Sequence, residues 1–157
     1  MIHRQGERIV AEASIRWPGI MLASLSAGPL FLLGIGIGTL IADPAAPVPI
    51  YLDWQIGFAV PILAMAAAFF GTFIALLPNL IGTALMTSIG NRHEAARSPL
   101  MWTLAGALAG AAPMAASGAG MSGMQPVYLI ALPFTGACCA LICRCRMEWP
   151  DPDLQPR

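Results

Sequence analysis

Four long apolar runs, residues 18–42, 56–77, 99–118 and 126–144, alternate with short polar or proline-rich segments. A helix needs roughly 20 apolar residues to cross the hydrocarbon core of a bilayer, and each run is of that order. None contains Lys, Asp, Glu or His, and the single Arg, Arg144, closes the fourth run. The pattern predicts an all-α, polytopic membrane protein with four transmembrane helices in a compact bundle over 18–144. The first run is too long for a signal-peptide core and has no small-x-small cleavage site before Asp43, so it counts as a span.

The second run does not stop where a bilayer would end it. Apolar character continues through "PNLIGTALMTSI" (78–89), with Leu80, Ile81, Ala84, Leu85 and Ile89 near helical period and Asn79, Thr83 and Thr87 on another face. Residues 56–89 as one helix would measure about 50 Å. Pro78 removes a backbone donor and crowds the carbonyl of Ile74. The expectation is therefore a kink or break at 78, with a second helical arm to 89 lying along the interface or projecting from it. Pro29, Pro61, Pro113 and Pro133 lie inside the four spans. The last three could splay the outer half of a bundle into a cleft, although simple kinking is the ordinary role of membrane prolines.

Charge orients the spans. Arg4, Arg8 and Arg16 precede the first, Arg92 and Arg97 lie between the second and third, and Arg144, Arg146 and Arg157 end or follow the fourth. Segments 43–55 and 119–125 carry no Arg or Lys. This asymmetry predicts both termini in the cytoplasm of a bacterial-type inner (plasma) membrane. Trp17, Tyr51, Trp54, Trp102, Tyr128 and Trp149 fall at span borders, where they read as interface anchors, while every Phe lies within a span. Residues 1–17 form a cytoplasmic N-terminal segment with a short interfacial helix over 5–16, and 145–157 reads as a disordered cytoplasmic tail.

Composition agrees: charged residues are 10% of the chain and mean hydropathy is +0.72, against about 25% charged in soluble domains. Net charge is zero, which argues against a nucleic-acid partner.

Candidate chemistry is sparse. "GAGMSG" (118–123) matches GxGxxG but follows a span and has no acidic residue until Glu148, so it lacks the strand–turn–helix context of a nucleotide site. His3 and His93 are isolated and read as surface residues. A proton-driven exporter would need a carboxylate at membrane depth, and the spans offer only Ser, Thr and Asn. No catalytic residue and no cofactor is expected. Cys138, Cys139, Cys143 and Cys145 cluster at the end of the fourth span. On a helix Cys139 and Cys143 share a face, while Cys138 and Cys145 point elsewhere. Two thiolates could serve a soft ion such as Cu(I) or Hg(II), which makes Cys139 and Cys143 the only metal candidates. The preferred reading is packing, with Cys as a small apolar residue.

Small-residue faces carry more information. Ala23, Ala27, Gly34 and Gly38 line one face of the first span, and Thr103, Gly106, Gly110, Pro113 and Ser117 line one face of the third. Such faces let helices approach closely where lipid supplies no drive for association. Packing within the monomer is their preferred reading; because the first and third spans run the same way, it would close the bundle's diagonal, and the alternative is a face that looks outward at another subunit. The function expected is a non-catalytic membrane accessory or interaction subunit, in contact with lipid and with copies of itself or a larger complex. The alternative is a small transporter or channel for an uncharged solute or soft metal ion.

Overall fold

A computed structural model describes residues 17–42, 44, 54–116 and 126–149, apart from the side chains of 54–56 and 116. The expected interfacial helix at 5–16, the anchor Tyr51, the side chain of Trp54, Ser117 and residues 150–157 lie outside the described residues. The protein is all-helical: α1 (Trp17–Ala42), α2 (Trp54–Arg92), a short 3-10 turn (Glu94–Arg97), α3 (Pro99–Ala116) and α4 (Pro126–Cys145). Three of these, α1, α2 and α4, are long and apolar enough to cross a membrane, whereas the described part of α3 is shorter.

The burial pattern suits a lipid solvent. Along the second half of α2, Thr83 and Thr87 are buried, while Ile81 and Leu85 on the opposite face are each 58% exposed. In water the preference would be reversed. Hydroxyls across the helices also satisfy themselves locally: Thr72 donates to Ala68 O, Thr103 to Pro99 O and Thr135 to Ala131 O.

Of the kink or break expected at Pro78, the break is absent: α2 runs unbroken through both Pro61 and Pro78 for 39 residues, so the helix expected to extend to 89 reaches Arg92. Residues 78–89 are accordingly not a separate arm. They are held by neighbours on both sides of the proline: Gly71 lies against Gly28 of α1, and Asn79 Nδ2 donates to Ser24 Oγ at 3.1 Å. Tertiary contact of this kind is what lets membrane helices carry proline. At 1.5 Å per residue α2 is about 58 Å long, longer than a bilayer's hydrocarbon is thick.

The helices pack antiparallel in chain order except at one side. Gly34 and Gly38 of α1 face Ala131 and Val127 of α4, and Gly19 faces Arg146 just past the end of α4, a constant antiparallel register. Gly106 and Gly110 of α3 face Gly136 and Leu132 of the same helix. Thus α4 lies between α1 and α3, whose backbones stay apart among the described residues. Neither a closed diagonal nor an outward-looking face is found: the small faces pack within the chain, and each receives α4. The reason lies in α4 itself, where Ala131, Gly136 and Ala140 present small residues to both neighbours. A Cβ on Gly34 would come within 2.9 Å of Ala131 Cα, and one on Gly106 would collide with the Gly136 carbonyl oxygen. The contacts are backbone on backbone, so only glycine fits.

Candidate functional site

At the end of the molecule that carries Arg92, Arg97, Arg144 and Arg146, all four helices converge. Trp102 is 1% exposed and donates its indole N–H to Ala96 O at 3.0 Å. Read from the sequence as an interface anchor, it is instead the largest fully buried side chain among the described residues. It fills the space where the 3-10 turn brings α3 back toward α4, joining a cluster with Ala23, Ala27, Cys139, Cys143 and Met147. The other described anchors differ. Trp17 is 59% exposed, and half-exposed Tyr128 stacks on Phe31 with ring centroids 6.4 Å apart.

Residues 146–149, expected as part of a disordered tail, fold back onto this end. Met147 is buried and its sulfur accepts from Thr87 Oγ1 at 3.8 Å. Trp149 packs against Gly90, where a side chain would collide with its ring. The guanidiniums of Arg97 and Arg144 lie over that ring, at 5.1 and 5.6 Å from its centroid, a cation–π arrangement. Their Nε groups donate to Gly90 O at 2.9 Å and Arg97 O at 2.6 Å. Trp149 Nε1 is buried with no acceptor among the described residues. These groups tie the ends of α2, the turn and α4 together.

Beyond this closed end α2 and α3 separate. They scarcely meet along their lengths, and between them lies a cleft of about 320 Å³. Its walls are Ile74, Pro78, Gly82 and Leu85 of α2 and Ala105, Ala109 and Pro113 of α3; its floor is Ala27 of α1 with Leu132, Gly136 and Cys139 of α4. Small residues give it width, since a Cβ on Gly82 would meet nothing within 4 Å. Pro78 and Pro113 both border it; of the three prolines expected to splay a cleft, Pro61, Pro113 and Pro133, Pro113 alone is among its described lining residues.

The polar groups of the cleft are Asn79, Thr83, Thr135, Cys139 and Cys143. Asn79 is engaged with Ser24, Thr135 with its own helix, and the Cys139 thiol donates to Ala23 O at 3.3 Å. Cys139 and Cys143 are buried in the same core cluster, whereas Cys138 is half-buried and Cys145 exposed. The four sulfurs therefore do not converge. Among the described residues no three of His, Cys, Asp and Glu come together as a metal site would require. No described residue lining the cleft is charged, so the arrangement suits an uncharged or hydrocarbon occupant.

Sequence reasoning singled out Ala23, Ala27, Gly34 and Gly38, and all four are buried. It missed Gly28, Gly71 and Gly136, which make equally close contacts. Their signal is faint: each is a lone glycine in an apolar helix rather than part of a GxxxG pair. No family model, curated protein or solved structure matches this chain.

Proposed function

We propose that the protein is a non-catalytic integral membrane subunit that crosses the inner membrane four times with both termini cytoplasmic, and acts by packing against another membrane chain. One observation carries this reading. Around residues 60–66 α2 has left the other helices, and Val60, Ile62, Leu63 and Met65 are 57–67% exposed. This is a stretch of helix whose apolar sides find no other helix among the described residues. Farther along, Phe69, Phe70 and Phe73 are also exposed and stack edge-to-face on one another. A membrane helix without neighbours gains nothing from apolarity beyond solubility in lipid, so a rigid aromatic ridge at its departure point suits a partner helix. Arg92, Arg97, Arg144 and Arg146 share one end of the structure, which supports a cytoplasmic placement of that end.

A photo-crosslinking residue at Met65 or Phe70, activated in intact membranes, should give a discrete protein adduct. One at Leu104 of α3, which is 52% exposed, should give lipid adducts only. Diffuse lipid labelling at all three positions would remove the accessory role. Reporter fusions should read cytoplasmic at residues 94 and 157 and external at 47, and a non-cytoplasmic reading at 94 would overturn the topology. The cleft favours a second reading, a carrier of an uncharged apolar solute. Solute-dependent flux in proteoliposomes would replace the first reading with that one.

A further inference from the structure

We infer that the α2–α3 cleft is a binding site for one acyl chain of an anionic phospholipid whose headgroup rests on Arg97 and Arg144. The inference uses the membrane placement proposed above but not the accessory role, so either can fail alone.

Size limits the occupant first. The cleft measures about 320 Å³. It falls at the low end of the roughly 300–1,000 Å³ typical of small-molecule sites. Shape and chemistry narrow the choice further. The cleft opens sideways between two helices with apolar outer faces, where Ile74 is 77% and Leu108 73% exposed, so its mouth faces hydrocarbon. Its polar groups Asn79, Thr135 and Cys139 are already bonded within the protein. A polar solute would therefore find few partners, whereas a flexible chain of methylenes needs none.

Charge supplies the other half of the ligand. The cleft ends at Met86, Trp102 and Cys143, one helical turn or so from Gly90, Arg97 and Arg144 in sequence. The described residues at this end carry four guanidiniums, those of Arg92, Arg97, Arg144 and Arg146, against the carboxylates of Glu94 and Glu148. Arg97 and Arg144 are half-buried and anchored through Nε on carbonyl oxygens, which fixes the place of both guanidiniums. Both guanidiniums lie over the ring of Trp149, whose buried indole N–H is a further donor with no acceptor among the described residues. Fixed guanidinium pairs between transmembrane helices on the cytoplasmic side are suited to phosphate headgroups. The chain would run from that headgroup up the gap that α2 and α3 leave open.

The test is native mass spectrometry of the full chain released from nanodiscs of phosphatidylcholine mixed with phosphatidylglycerol. The wild type should retain one phosphatidylglycerol per chain in preference to phosphatidylcholine. Gly82→Phe, which places a ring in the open space of the cleft, should abolish retention. The double variant Arg97→Gln, Arg144→Gln should keep the chain's site but lose about twenty-fivefold in preference for the anionic lipid, at about fivefold per arginine. Size-exclusion profile and helicity of each variant establish that it is folded. If Gly82→Phe misfolds, Ala109→Leu on the facing wall serves instead. Retention unaffected by both cleft-filling variants would mean peripheral lipid only and overturn the inference. Equal retention of the two lipids by the wild type, or a small solute or peptide in place of lipid, would overturn it as well.

Discussion

Gly136 and Gly82 are both interior glycines of apolar helices, and the structure uses them in opposite ways. Gly136 sits in the seam between α3 and α4, where an added Cβ would collide with the Gly106 carbonyl oxygen and lie 3.2 Å from Gly110 Cα. Gly82 sits on the open side between α2 and α3, where a Cβ would meet nothing within 4 Å. The absence of a side chain makes a backbone contact in the first case and empty width in the second. A small residue permits close approach; which helix accepts the offer depends on what that helix presents in return. Here α4 presents small residues on two sides and is accepted by both α1 and α3. By contrast α2, bonded to α1 through Gly28, Gly71, Ser24 and Asn79, leaves its other flank unmatched to α3.

If the seams are the structural core and the open side is not, substitutions should rank accordingly. The largest losses belong to Gly106→Leu and Gly110→Leu, whose side chains would enter the α4 backbone, followed by Gly34→Leu and Gly38→Leu on α1. Each should lower unfolding free energy in mild detergent by ~1–3 kcal/mol, the usual cost of overpacking, with the α3 pair at the upper end. A smaller loss is expected where α2 meets α1. Asn79→Leu removes the hydrogen bond to Ser24, and such bonds average about 0.6 kcal/mol in a membrane protein; the same denaturation assay should find it between about 0.5 and 1.7 kcal/mol. Smallest of all is the cysteine set. Replacing Cys138, Cys139, Cys143 and Cys145 together by Ala should cost about 1 kcal/mol or less, mainly the Cys139 bond to Ala23. The wild type should titrate without stoichiometric uptake of Cu(I) or Hg(II). Tight one-to-one binding that disappears in Cys139→Ala or Cys143→Ala would return those two residues to a metal-binding role.

Much of the helical layout was legible because a bilayer demands long uncharged runs. Residues 18–42, 99–118 and 126–144 correspond to α1, α3 and α4 within two residues at each end. The face of α1 was legible for a related reason, since repeated small residues at helical spacing have few other uses in lipid. Three features were hidden for identifiable causes. The continuity of α2 through Pro78 depends on contacts from α1 that no local rule contains. The buried place of Trp102 depends on the 3-10 turn that redirects the chain at Glu94–Arg97. Most important, the central position of α4 rests on Ala131, Gly136 and Ala140, spaced so irregularly that the nearby cysteines drew attention instead. The cleft follows from that hidden fact: once α4 occupies the middle, nothing is left to close α2 onto α3.

The most direct measurement is the unfolding free energy of Gly136→Ala beside that of Gly82→Ala, each the addition of one methyl group to an interior helix position. With α4 held by backbone contact and the α2–α3 side open, Gly136→Ala should lose about 1–3 kcal/mol. Gly82→Ala should stay within about 0.5 kcal/mol of wild type, or gain slightly from reduced backbone entropy. Equal losses at the two positions, or a greater loss at Gly82, would contradict the arrangement of a seam on one side of the molecule and a cleft on the other.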